Sequence, residues 1–358
     1  MTMNLFWSDE ECSFMIVDSA RTKPGPPRRP YSTLGQLQWL DHRQISVEEG
    51  AQKLIRLGSD AALLCGTEFD ILEFLRLGLP LLEGRGLDAF LEWANRDHSR
   101  SEMMVTVTGN NADWPFATVC LPSKKFINRS RGSVNVIGSL PEPIKEFISA
   151  EIAAVMSDSQ ISKNPCIRLI VGLAYSVRLS IQNNLPEHGV GGALFGAWID
   201  KDGFHWNPDL VFFLYSPNSI ELLTFSPSDQ SEVDISSPPG QRELFDVIQC
   251  WVRDDILVSS SSITNEGVVI KSEATQTEIS DWISKWLHTL KSCGIENTEY
   301  YVFVPKGKGP IVIAPNTGRH VVVKPDCIWF SDATIRALRH PAQNDLPLFI
   351  ELVSSGAQ

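Results

Sequence analysis

Two segments set the strongest limit on what this chain can fold into. Glu142 to Met156 and Cys166 to Gln182 carry apolar residues at helical spacing, and short apolar runs broken by turn residues lie on either side of them. Ahead of the pair, Asn4-Leu-Phe-Trp7 and Cys12 to Val17 flank the polar turn Ser8-Asp9-Glu10-Glu11, which predicts a hairpin. Lys53 to Leu57 and Ala61 to Cys65 flank Gly58-Ser59-Asp60 in the same way, and Met103 to Val107, Phe116 to Leu121 and Val134 to Ile137 read as further strands. Between these groups a helix is expected from a Thr67 cap, with Phe69, Leu72, Phe74 and Leu75 on its apolar face, and another from Leu87 to Asn95. After the second long helix come strands at Ala193 to Ile199 and Phe204 to Trp206, joined by Asp200-Lys-Asp-Gly203, whose Asp-Gly pair favours a tight hairpin turn. Strands thus alternate with pairs of helices, not with the single helices of a doubly wound sheet. Such an order predicts an α+β fold with two antiparallel sheets packed between helix layers.

The pattern changes near Pro217. Ser226 to Gln241 is rich in Ser, Pro and Asp and reads as a linker or long loop, and the run Ser259 to Ser262 reads as a polar break. Helices are expected near Glu243 to Trp251 and Gln276 to Leu290, with strands at Tyr301 to Val304, Ile311 to Ala314 and His320 to Val323. At 358 residues the chain is comfortable as two domains, and we divide it into residues 1–216 and a smaller α+β extension, 217–358. Near the start, Lys23-Pro-Gly-Pro-Pro-Arg-Arg-Pro30 is expected to be loop, because proline lacks the donor that a helix or central strand needs.

Charge and cysteine usage remove several function classes. The net charge of -12 argues against nucleic acid as a partner, and the cluster of Lys23, Arg28 and Arg29 is more simply a solvated loop. Seven scattered cysteines suggest neither a disulfide framework nor a zinc motif, and fit a reducing compartment. The most apolar stretch, Cys166 to Ile181, is interrupted by Arg168 and Arg178, and no secretory leader is apparent; the expectation is a cytoplasmic protein with no membrane partner. No GxSxG, HExxH, P-loop or GxGxxG occurs, and no metal or organic cofactor is expected. Pro305-Lys-Gly-Lys-Gly309 has backbone amides and ammoniums that suit a phosphate, but it lacks the glycine spacing of a phosphate loop and reads first as a hairpin turn.

Several short motifs, taken in order, resemble the proteasome β-type subunits of the N-terminal-nucleophile (Ntn) hydrolase family. Met15-Ile-Val-Asp18-Ser19 resembles the family's second strand, which an Asp closes, and Lys53 the lysine that opens the third. Gly66-Thr67 resembles the small turn into the first helix, and Thr106-Val-Thr-Gly109-Asn-Asn-Ala-Asp113 the hairpin I-I-T-G-N-G-D. Val136-Ile-Gly138-Ser139 resembles the I-G-S-G turn, and Gly191-Gly192 followed by Asp200-Lys-Asp-Gly203 the final pair of glycines and their hairpin. Thr2 lies 16 residues before Asp18, which is the family's spacing. The resemblance spans roughly residues 2–206 and implies a four-layer αββα sandwich.

It also implies a chemistry. Thr2, exposed by removal of Met1, would attack an amide carbonyl while its own α-amine, which titrates near pH ~8, takes the proton. Asp18 would hold the ammonium of Lys53, and that buried cation would favour the ionised nucleophile. The backbone N–H of Gly66 would stabilise the oxyanion, and Ser139 would bond near the terminal amine; each also has a plainer reading as a helix-start glycine or a helix N-cap. Lys23 competes with Lys53 as the partner of Asp18. The family places an Asp and then a Ser before the final glycines. Here Glu187 stands in place of the Asp, His188 reads as a surface residue, and no Ser follows. Two functions therefore stay open: a threonine peptidase or amidohydrolase acting on a peptide or amide, and a silent scaffold or interaction subunit. Family members assemble into rings, so the resemblance implies a homo-oligomer with an unfoldase or other protein partner.

Overall fold

The computed structural model describes residues 3–9, 11–27, 31–49, 51, 53–57, 61–65, isolated positions between 80 and 96, 103–108, 116–121, 125–126, 133–138, 140–158, 161–217, 231–234, 245–253, 256–261, 266–269, 298–323, 327–340 and 348–353. Along the chain these form β1 (Asn4–Ser8), β2 (Ser13–Asp18), β3 (Ala20–Pro24), β4 (Trp39–Leu40), β5 (Ile45–Glu49), β6 (Leu54–Leu57) and β7 (Ala61–Cys65). Next come β8 (Met103–Thr108), β9 (Phe116–Leu121), β10 (Lys125–Phe126), β11 (Asn135–Ile137), α1 (Glu142–Met156) and α2 (Pro165–Gln182). Strands β12 (Leu194–Asp200), β13 (Gly203–Trp206), β14 (Leu210–Tyr215), β15 (Ser231–Asp234), β16 (Phe245–Arg253), β17 (Ile256–Ser261) and β18 (Glu266–Val269) follow. The chain closes with β19 (Tyr300–Pro305), β20 (Ile311–Pro315), β21 (Val321–Val323), β22 (Cys327–Phe330), α3 (Asp332–Leu338) and β23 (Phe349–Glu351).

The fold is α+β. A first five-stranded sheet runs β11-β1-β2-β12-β13 and a second runs β10-β9-β8-β7-β6, both antiparallel throughout. They approach each other where β2 meets β6, β12 meets β8 and β13 meets β7. Helices α1 and α2 pack on the first sheet, α1 against β11 and α2 against β2 and β12. The helix expected from Thr67 lies outside the described residues; of the one expected from Leu87 to Asn95, Ala89, Glu92 and Trp93 are described and helical.

Helix α2 organises the core. Asn164 caps it, its Oδ1 accepting from the amides of Cys166 (2.9 Å) and Ile167 (3.4 Å), and Pro165 occupies the first turn, where no donor is needed. The helix is apolar nearly all round, as a helix covered on both sides must be. It packs on β2 and β12 on one side and on β19 and β20 on the other. Its two arginines find partners at the edges of the core: half-buried Arg168 donates to the Met156 carbonyl and pairs with Asp9, and buried Arg178 donates to the Gly309 carbonyl. No described helix is long and apolar enough to cross a membrane.

The second side of α2 is covered by a seven-stranded sheet, β18-β17-β16-β14-β19-β20-β23, antiparallel except where β14 meets β19 and β20 meets β23. Strand β14 ends at Tyr215, just before the boundary drawn from the sequence, yet it pairs on both edges with strands from beyond that boundary. Smaller sheets, β15-β22-β21 and β3-β5-β4, complete the topology.

Four local expectations need correction. In place of the helix expected near Glu243 to Trp251, the described residues Phe245–Arg253 form strand β16, where Ile248, Cys250 and Val252 are buried at a period of two. Tertiary pairing with β14 and β17 overrides a weak helical preference there. The serine run is not a break; Ser259–Ser261 continue β17, and Ser259 is buried. Within the expected linker, Ser231–Asp234 forms β15 against β22. The Pro-rich segment starts as strand, because Lys23 and Pro24 end β3, an edge strand that tolerates a missing donor. The expected helix Gln276 to Leu290 lies outside the described residues. The turn Pro305 to Pro310 joins β19 to β20 as a plain hairpin, tied down by Gln182 on the Gly307 carbonyl and Tyr215 on the Pro310 carbonyl.

Close approach of α2 to the first sheet depends on Gly172. A Cβ there would lie 2.8 Å from Trp7 Cη2, 3.0 Å from Ile16 Cδ1 and 3.3 Å from Met156 Cε. Gly172→Leu should therefore lower stability by about 1–3 kcal/mol through overpacking, measured by chemical denaturation. Gly172→Ala should cost less, since better helix propensity offsets part of the strain.

Candidate functional site

Asp18 is the last residue of β2 and is completely buried. Its carboxylate takes donors from separate parts of the chain. Oδ1 accepts from Lys53 Nζ at 2.7 Å and from the Met3 amide at 2.8 Å; Oδ2 accepts from the amides of Ala20 and Gly191, each at 3.3 Å. Three pairings bring these groups together. The β1–β2 register sets Asn4 against Val17, so Met3 falls beside Asp18, and the Asp18 amide donates to the Met3 carbonyl at 3.2 Å. The β2–β12 register sets Leu194 against Asp18, which brings in Gly191. The Ala51 amide donates to the Ser19 carbonyl, returning the chain to Lys53, which is only 5% exposed. A buried carboxylate with one cation and several amides is the arrangement that offsets the desolvation of both ions.

Gly191 and Gly192 form the wall beside this pair. Gly192 has φ +78°, and a Cβ on it would sit 2.5 Å from Ser19 Oγ and 2.6 Å from Glu49 Cγ, so the position requires glycine for both its backbone and its space. Glu49, at the end of β5, accepts from the Thr33 amide through Oε1 and from Thr33 Oγ1 through Oε2 at 2.6 Å. Thr33 Oγ1 lies 3.2 Å from Ser259 Oγ.

The sequence candidates divide clearly. Asp18 and Lys53 meet in an ion pair. Lys23, the competing lysine, pairs instead with Glu48 at 2.8 Å. Thr2, Gly66 and Ser139 lie outside the described residues; Met3, the next residue after Thr2, is buried at the Asp18 carboxylate. Pro141 holds the N-cap position of α1. Glu187 is exposed on a short turn, Leu185–His188, and accepts from Asn184 Nδ2 at 2.6 Å; among the described residues no hydrogen bond joins it to Asp18 or Lys53. Glu49, Thr33 and Ser259 were not expected. Isolated polar residues in unremarkable contexts carry no signal of meeting one another across the fold.

The described thiols are poor nucleophiles. Burial, then the charge of Asp9, pushes Cys12 up to about 12; burial raises Cys166 to about 11 and Cys250 to about 12. Among the described residues no group of three or more His, Cys, Asp or Glu side chains is placed to hold a metal ion. What the arrangement offers is a fixed buried cation and carboxylate at the start of β1. It can hold a nearby hydroxyl or amine in a chosen protonation state.

The chain is similar to eukaryotic HslV from Trypanosoma brucei. Identity is 12% and the TM-score is 0.36, over 56% of this chain and 99% of that one. No family model matches, and no curated protein matches.

Removing the cation should expose how far the site depends on it. Lys53→Met would leave a buried, uncompensated carboxylate and should cost about 3–5 kcal/mol in urea denaturation. Adding Asp18→Asn to that variant should recover part of the loss, because the uncompensated charge is gone while the amides of Met3, Ala20 and Gly191 still need an acceptor.

Proposed function

We propose that the chain is an amide hydrolase of the N-terminal-nucleophile type, with Thr2 as nucleophile once Met1 is removed. One observation carries the reading: a single carboxylate, Asp18, binds both the buried ammonium of Lys53 and the amide of Met3, the residue joined directly to Thr2. In this reading residues 1–216 make a four-layer αββα sandwich, and 217–358 an α+β extension.

The chemistry follows from those groups. Thr2 Oγ forms a bond to the amide carbonyl carbon as its proton passes to the Thr2 α-amine. The carbonyl oxygen becomes an oxyanion, which the Gly66 N–H accommodates and the Lys53 charge favours. The ammonium then returns the proton to the departing nitrogen as the C–N bond breaks, leaving an ester on Thr2. A water molecule, its proton taken by the same amine, cleaves the ester and restores the hydroxyl. Asp18 keeps Lys53 in place and charged, and Ser139 supports the amine. Glu187, exposed and bound to Asn184, is given no step.

Peptides or other amides are the substrate class, and a homo-oligomer working with an unfoldase or other protein partner in the cytoplasm completes the proposal. A second reading, a silent proteasome-like scaffold, is favoured by one fact: no serine occupies the place before Gly191-Gly192.

Protein from its native host should show loss of Met1 by intact mass and N-terminal sequencing. It should hydrolyse short peptide or amide reporters, and Thr2→Ala should abolish turnover. Full retention of Met1, or unchanged turnover in Thr2→Ala, would rule out the threonine mechanism.

A further inference from the structure

Two side chains of the seven-stranded sheet reach the Asp18 end of the first sheet. Cys250 of β16 and Ser259 of β17 stand directly opposite each other in register, and both are buried. Cys250 Sγ donates to the Leu194 carbonyl at 3.6 Å, and Leu194 is the residue paired with Asp18 across β2 and β12. Ser259 Oγ meets Thr33 Oγ1 at 3.2 Å. The single hydroxyl proton of Thr33 points to Glu49 Oε2, so Ser259 is the donor to Thr33.

Glu49 carries the contact onward. It pairs in register with Ala20, whose amide bonds Asp18 Oδ2, and its Cγ lies against the open face of Gly192, next to the Gly191 amide that also bonds Asp18 Oδ2. We infer that the seven-stranded sheet braces the Asp18–Lys53 site through the Cys250–Ser259 pair, with Thr33 and Glu49 as positioning residues between them. The sheet sets where two of the amides that orient the Asp18 carboxylate stand. This gives the C-terminal half a part in shaping the site whose chemistry is proposed above, and the inference rests on that site being the functional one. Ordinary packing between two sheets would not account for the link: it runs through hydroxyls and a carboxylate, groups whose burial is costly unless their partners are kept.

The test uses the full chain with Thr33→Val, Thr33→Ser and Ser259→Ala, and reads amide hydrogen exchange. In Thr33→Val and Ser259→Ala the amides of Ala20 and Gly191 should exchange about tenfold faster, while amides within α2 keep wild-type rates. Thr33→Ser keeps the hydroxyl and should restore wild-type exchange. Turnover of an amide reporter should fall in kcat in the same two variants, with KM little changed, and recover in Thr33→Ser. Wild-type exchange at Ala20 and Gly191 in folded Ser259→Ala, or a uniform acceleration throughout the protein, would overturn the brace. Should Thr33→Val fail to fold, Ser259→Ala, which loses a single hydroxyl, decides the matter. Absence of turnover in the wild-type protein would overturn the hydrolase reading, and the exchange rates would still decide for or against the brace.

Discussion

A carboxylate with no access to water has to find its counter-charge and its hydrogen-bond donors inside the fold. Asp18 is such a group, and the placement of much of the N-terminal half follows from supplying it. The start of β1, the segment ahead of β6 and the Gly191-Gly192 turn ahead of β12 all converge on its two oxygens. Each of those segments is secured elsewhere by strand pairing, so the ion pair is assembled by the registers and does not itself hold them. That order of dependence suits a functional site, since a buried ion pair contributes little net stability and is costly to leave half made.

Helix α2 is the second constraint. Covered by one sheet on each side, it has to be apolar around its circumference, and Gly172 lets it come close enough to Trp7 and Ile16 to fill the core. Its position joins the five-stranded and seven-stranded sheets through one continuous core, from Phe14 and Ile16 through Ile170 to Val302 and Ile313. Cys250 belongs to that core, and Ser259, its buried register partner, makes a polar contact with Thr33. Apolar packing fills the space between the sheets, and the thiol contact to the Leu194 carbonyl and the hydroxyl contact to Thr33 add polar links near the Asp18 end.

Much of the N-terminal architecture was legible in the residues. The two hairpins, the long helices and the β12–β13 hairpin follow apolar periodicity and turn chemistry, and they form close to where those signals put them. Asp18 and Lys53 were candidates only through the resemblance of their segments to a known family; by themselves an acid closing a strand and a lysine opening one read as an ordinary turn residue and a surface lysine. Beyond residue 217 the strands near 301–304, 311–314 and 320–323 were legible, while local signals misled around 245–261. Phe245–Arg253 mixes apolar and polar residues in a way that suits either period, and only its neighbours on both edges make it a strand. The serines of β17 lack any local preference for burial; Ser259 is buried by its place in the sheet opposite Cys250, with Thr33 as a partner for its hydroxyl.

The sequence by itself determined the β1–β2, β6–β7 and β12–β13 hairpins and the helices α1 and α2, since spacing of apolar side chains and the demands of turns act over a few residues; strands β3, β4 and β5 carried no such signal. Tertiary structure showed the outcome of the competition between the two lysines: the β3–β5 pairing brings Lys23 to Glu48, and Lys53 reaches Asp18. It decided too that Glu49, Thr33 and Ser259 form one network. Their separation along the chain is closed by the folding of whole sheets, and no local physical signal in the residues encodes such a meeting.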